Sequence, residues 1–126
     1  MPMIPEPIIL IIEDDAAVRQ SLKFALEQEG LEVHVYESGG QLLADPAIPQ
    51  SGCLVVDYVM PGMDGITLVD RLRHQHVDLP ALLITAKVSP DLREHARRSG
   101  FRQVLEKPLE DGSLLDEIRS ALAVPA

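Results

Sequence analysis

Five short apolar runs punctuate the chain at spacings of about 20–28 residues: IILII (8–12), LEVHVY (31–36), CLVV (53–56), ALLI (81–84) and QVLE (103–106). Each has the length of a strand, and most are continuously apolar rather than alternating, the pattern of strands buried on both faces. Between them, hydrophobic positions recur at helical spacing: Val18, Leu22, Ala25 and Leu26, then Leu68 and Leu72, then Leu114, Leu115, Ile118 and Leu122. Strand and helix alternate five times, which predicts an α/β domain with a parallel sheet covered by helices on both faces. Punctuation marks the boundaries. Gly30 follows the first helix as a C-cap signal, Ser89-Pro90 reads as a cap with Pro at the first helical position, and Gly100 closes the fourth helix. The second helix is the weak one. SGGQLLADPAIPQSG places two glycines at its start and two prolines after it, which predicts a short helix with a loose end. With no internal repeat or interior linker, one domain is expected over residues 5–124, preceded by a lead-in of residues 1–4.

Composition narrows the core and the partners. The 126 residues are 46% hydrophobic but include only two Phe, two Tyr and no Trp, so Leu, Ile, Val and Ala must build the interior. A chain of this length buries enough surface to fold alone. Twenty acids against 11 bases give a net charge of −9, which opposes direct binding to a nucleic-acid backbone. Cys53 is the only cysteine. It can form no internal disulfide, and its apolar neighbours predict an inert buried thiol in a reducing, cytoplasmic setting. The start, MPMIPEPIILII, has no basic region and too short an apolar run for a signal peptide or a membrane anchor.

The candidate chemistry collects at one edge. In an open parallel sheet, ligands bind beyond the carboxyl ends of the strands. The first strand here ends in Glu13-Asp14-Asp15, the third in Asp57, the fourth in Thr85 and the fifth in Lys107. Carboxylates from two strand ends make a hard oxygen site suited to Mg²⁺. Left without a cation they would repel and raise one another's pKa. With the cation, one carboxylate stays ionised as a nucleophile, Lys107 neutralises incoming phosphoryl oxygens, and Thr85 offers them a hydrogen bond. The arrangement predicts phosphoryl acceptance on a carboxylate.

At these residues the chain resembles the receiver domains of two-component response regulators over nearly its whole length. IIEDD followed by Arg19 is similar to the family's acidic pair, carried by Glu13 and Asp14; LVVDYVMPGMDG is similar to its phosphoacceptor segment, with Asp57 as acceptor. LLITAK supplies the switch hydroxyl Thr85 and the small residue Ala86, and LEKP supplies Lys107 ahead of Pro108. Intervals of 43, 28 and 22 residues from Asp14 to Asp57, Thr85 and Lys107 are receiver-like. The resemblance implies a flavodoxin-like (βα)5 fold with strand order 2-1-3-4-5, and a Mg²⁺ site made by Glu13, Asp14, Asp57 and the carbonyl of Val59. It also implies a cis Lys107–Pro108 bond. Asp15 is left as a helix N-cap or a solvated acid. The implied partner is a sensor histidine kinase or a phosphotransfer protein, the implied role a switch rather than an enzyme, with homodimerisation on phosphorylation as an option. The wording is nearest to receivers that precede a LuxR-type helix-turn-helix, so the chain reads either as a stand-alone receiver or as part of a DNA-binding regulator.

One departure stands out. Receivers usually carry an aromatic three residues before the lysine, where this chain has Val104. Strand alternation places nearby Phe101 on the opposite face, as core. An atypical receiver acting as a phosphorylation-independent interaction module is therefore the alternative. Other classes fit less well: a haloacid-dehalogenase-like phosphatase needs a second acid where Val59 stands, a metal nuclease needs a basic surface, and no G-x-G-x-x-G or P-loop is present. The four histidines do not converge on a metal site.

Overall fold

A computed structural model describes residues 6–109 and 112–123. The lead-in of residues 1–4 and both ends of the expected domain, 5 and 124, lie outside the described residues. The elements run β1 (Ile8–Ile12), α1 (Ala16–Gln28), β2 (Glu32–Tyr36), α2 (Gly39–Leu43), β3 (Gly52–Asp57), α3 (Gly65–His74), β4 (Ala81–Thr85), α4 (Pro90–Arg98), β5 (Phe101–Glu106) and α5 (Ser113–Ala123). All strand pairs are parallel, in the order β2-β1-β3-β4-β5. This is the flavodoxin-like arrangement expected from the sequence.

Local chemistry starts four of the helices in one way. Asp15 accepts from the Val18 N–H at 3.0 Å, Ser38 from Gln41 at 3.1 Å, Asp64 from Thr67 at 2.8 Å and Ser89 from Leu92 at 3.1 Å. Such a cap satisfies one of the orphan donors of the first turn and is worth about 1 kcal/mol. Asp15 is thereby assigned to the backbone of α1. Gly30 stands at φ +85° just past the end of α1, and α2 has only five residues, as its glycines and prolines predict.

The sheet separates two cores. On one face Leu10, Ile12, Leu54, Val56 and Leu83 pack with Leu42 of α2, Leu68 and Leu72 of α3, and Leu92 and Ala96 of α4. On the other, Ile9, Ile11, Cys53, Val55, Leu82 and Ile84 pack with Leu26 of α1 and with Leu114, Ile118 and Ala121 of α5. Every residue of β3 and β4 is buried, which accounts for the unbroken apolar runs. Gly52 opens β3 at φ +149°, where a Cβ would run into the Ile8 carbonyl oxygen. Only glycine allows β3 to begin so close to β1. Burial raises the Cys53 thiol to about 12, with Arg102 opposing weakly, so the thiol is inert as expected.

β5 corrects one expectation. Ala81 pairs with Phe101 but Leu82 pairs with Gln103, a shift of one residue. The bulge cancels the alternation and puts Phe101 and Val104 in the same core, beneath α4. Phe101 is core, as expected, but not on the opposite face. A bulge adds one residue without changing side-chain chemistry, so period-two reading passes over it.

Candidate functional site

The site is built at the ends of β1, β3, β4 and β5. Glu13 is the first residue beyond β1 and is completely buried. Its N–H donates to the Tyr36 carbonyl at 3.1 Å, which ties it to β2. Arg19, buried on α1, donates from Nη1 to the carbonyls of Glu13 at 2.9 Å and Asp14 at 3.4 Å, and its Nη2 lies 3.6 Å from Glu37 Oε1. One guanidinium thus holds the backbone of both acids, while the Asp14 side chain stays exposed.

Asp57 ends β3 and is buried. It is level with Ile84 of β4, so Thr85 stands one residue further along the neighbouring strand, also buried. Thr85 is level with Glu106, and the Lys107 N–H donates to the Thr85 carbonyl at 2.8 Å. These registers deliver Lys107 into the acidic cluster. Its Nζ lies 3.2 Å from Glu13 Oε1 and 3.4 Å from Asp57 Oδ2. The Lys107–Pro108 bond is cis. Val59 and Ala86 occupy the loops just past Asp57 and Thr85, both exposed.

Charge in this space is unbalanced. Burial pushes the Glu13 carboxyl up to about 8, with further upward push from the neighbouring Asp57 carboxylate, against the downward pull of Lys107. Burial works against the Lys107 ammonium too, but Asp57 and Glu13 outweigh it and hold its pKa above the usual lysine value. Glu13 Oε2 is fully buried and has no hydrogen-bond partner. A buried acceptor left unpaired costs about 1–3 kcal/mol, more if charged. Ligand oxygens of Glu13, Asp14 and Asp57 all lie within 4.8 Å of one another, the only metal-competent cluster among the described residues. An orphaned carboxylate oxygen beside two further carboxylates fits Mg²⁺.

Two contributors were not legible as such in the sequence. Gly65 opens α3 so close to Asp57 that a Cβ would stand 2.5 Å from the Asp57 carbonyl oxygen and 2.8 Å from Val56 Cγ1. Its N–H donates to the Tyr58 carbonyl at 2.9 Å, and the Tyr58 N–H donates to the Ile84 carbonyl at 2.8 Å. The backbone after Asp57 is thus held from both sides. The Asp-Gly step at the head of α3 was the available signal. The Arg19 clamp was the second, and its partner Glu37 is too distant in sequence to suggest itself.

The family described as response regulator receiver domain matches residues 9–119. The C4-dicarboxylate transport transcriptional regulatory protein DctD of Pseudomonas aeruginosa is 39% identical over 116 residues, covering 92% of this chain and 25% of that protein. The transcriptional regulatory protein FixJ of Bradyrhizobium diazoefficiens is also 39% identical over 116 residues, covering 90% of this chain and 56% of that protein. The chain therefore spans between a quarter and just over half the length of these relatives. Among solved structures, the crystal structure of FixJ-N superposes with a TM-score of 0.86 at 30% identity, covering 98% of this chain and 99% of that one.

Proposed function

Because the chain belongs to the family of response regulator receiver domains, we propose that Asp57 accepts a phosphoryl group from a phosphohistidine on a sensor histidine kinase or a phosphotransfer protein. A carboxylate oxygen of Asp57 forms the bond to phosphorus, the phosphorus–nitrogen bond breaks, and the imidazole leaves with the electron pair. Lys107 places its ammonium beside the phosphoryl oxygens and keeps its charge because Asp57 and Glu13 hold its pKa up. The Thr85 hydroxyl donates to the phosphoryl group, and Ala86, small and exposed, leaves room for it. Glu13, Asp14, Asp57 and the carbonyl of Val59 would hold Mg²⁺, which when bound neutralises carboxylate and phosphoryl oxygens together.

The observation that carries this reading is the convergence of three carboxylates with Lys107 Nζ lying between Glu13 and Asp57. Autodephosphorylation, homodimerisation on phosphorylation and a cytoplasmic location belong to the same proposal. No helix among the described residues is long and apolar enough to cross a membrane. The net charge of −9 opposes direct binding of this chain to DNA; the motif wording favours a LuxR-type output domain in a longer protein, with a stand-alone receiver as the other arrangement. A second reading, a phosphorylation-independent interaction module, draws on Val104 in place of the usual aromatic. Incubation with a small phosphodonor and Mg²⁺ should add one phosphoryl group of about 80 Da, seen by intact mass. Equal labelling of Asp57→Asn would remove Asp57 as acceptor, and no labelling of the wild type would favour the second reading.

A further inference from the structure

We propose that the cleft at the opposite end of the sheet from Asp57 binds a small organic anion that presents a carboxylate to Arg73. The cleft has a volume of about 850 Å³ and opens where β3, β4 and β5 begin, beside the end of α3 and the last turn of α5. Arg73, Arg102 and His76 line it, with Asp78 the one acid among its described lining residues. Ile48, Leu79 and Leu122 supply an apolar wall. The chain as a whole is acidic, yet two arginines and a histidine stand against one aspartate around the cleft, so an anion meets a locally favourable field there.

Arg73 supplies the geometry. Its Nη1 donates to the carbonyls of Val77 at 2.9 Å and Leu79 at 2.7 Å, so both hydrogens of that nitrogen are engaged and the guanidinium plane is set. Nε and Nη2, the other edge of the fork, have no hydrogen-bond partner among the described residues. They lie 3.7 and 3.9 Å from the position a Cβ on Gly100 would take, and Gly100 lines the cleft. A side chain at position 100 would sit in van der Waals contact with that edge. A pre-oriented Nε–Nη2 edge matches a carboxylate with two parallel hydrogen bonds. Burial works against the Arg73 charge, while Asp78 and Asp70 favour it without hydrogen-bonding to it. Arg102, exposed on β5, adds a second cation, and the apolar wall takes an aliphatic chain. These features define a short aliphatic dicarboxylate as the best-fitting class.

Succinate is the probe, titrated into the 126-residue chain at constant ionic strength while amide shifts are followed, with inorganic phosphate and sodium chloride in parallel. Succinate should give saturable shifts centred on Ser51, Gly52, Gln75 and Gly100, with a Kd about tenfold below that of phosphate, which lacks the chain for the apolar wall. Arg73→Lys keeps a charge but loses the fork, and should weaken succinate about tenfold. Arg102→Gln, at an exposed position that leaves the loop ties intact, should weaken it about threefold and decides the matter if Arg73→Lys does not fold. Shifts that stay linear, that chloride reproduces, that centre on Glu13 and Asp57, or that Arg102→Gln leaves unchanged would overturn the proposal.

Discussion

Glu13 carries the sharpest electrostatic consequence of the fold. Its carboxyl is raised from 4.5 to about 8, so between those values the folded, metal-free protein binds a proton that the unfolded chain has released. Stability from this group is complete below about pH 4.5 and is lost as the pH rises through about 8. The metal-free protein should therefore melt lower at pH 8.5 than at pH 6, and Glu13→Gln should remove most of that fall, gaining about 1–3 kcal/mol at the higher pH. Parallel melting curves for the two proteins across this range would show that Glu13 is not the group responsible. Gly65 makes a steric prediction. A methyl group there meets the Asp57 carbonyl, which is backbone and cannot rotate away, whereas at Gly40 the nearest atom to an added Cβ is 3.9 Å off. Gly65→Ala should cost about 2–3 kcal/mol and slow phosphoryl uptake, while Gly40→Ala, inside α2, should be neutral or stabilising by up to about 1 kcal/mol. Denaturant melts of the pair check this, and equal stabilities would refute the close-contact account.

Among the elements, α4 offers little buried surface to hold it. Of its nine residues only Leu92 and Ala96 are buried, and its ion pairs, Arg97 and Arg98 with Glu94, are exposed and worth little. A cavity of about 380 Å³, lined by Tyr58, Lys87, Ser89, Asp91, Leu92 and His95, lies between the start of the helix and the loop after Asp57. Elements with few buried contacts are the ones that move in switches. Phosphate on Asp57 would draw the Thr85 hydroxyl toward it, and Val104, buried in the core below α4, is too small and too stiff at χ1 to follow as a large ring would. Full conversion from 1:99 to 99:1 needs about 5.5 kcal/mol of differential stabilisation. We expect beryllofluoride, a phosphoryl mimic, to convert the wild type incompletely, with amide shifts concentrated in residues 86–102, and to convert Val104→Tyr further. Complete conversion of the wild type with no gain in the variant would show that Val104 does not limit the switch.

For the molecule as a whole, a cation held by the acidic cluster would link folding to binding. A cation that binds only the assembled carboxylates stabilises the fold by mass action, about 2.7 kcal/mol at a concentration 100 times Kd. Added Mg²⁺ should therefore raise the melting temperature of the wild type, and Asp14→Ala should abolish the rise. Asp15→Ala should lower the melting temperature through loss of the α1 cap, by about 1 kcal/mol, yet keep its full response to Mg²⁺. These neighbours differ because one side chain is bonded to the Val18 N–H and the other joins Glu13 and Asp57. Identical Mg²⁺ responses in the two variants would mean that Asp14 holds no cation.

Hydrophobic periodicity, together with the cap, glycine and proline punctuation that marked the second and fourth helices, determined the number, order and type of the elements. A strand buried on both faces must be apolar throughout, and a helix lying on a sheet must repeat every three to four residues. The strand ends then exposed Glu13, Asp14, Asp57, Thr85 and Lys107 as candidates, because charged groups directly after buried runs have few structural reasons to be there. The sheet order and the cis bond at Lys107 came instead through resemblance to a family. What only the tertiary structure decided is what depends on distance between parts remote in sequence. The bulge in β5 put Phe101 under α4, the Gly65 backbone came against Asp57, Arg19 reached two carbonyls and Glu37, and Glu13 Oε2 was left without a partner. Side-chain type and spacing record which surface a residue prefers, whereas these contacts are set by how the packed strands and helices register against one another.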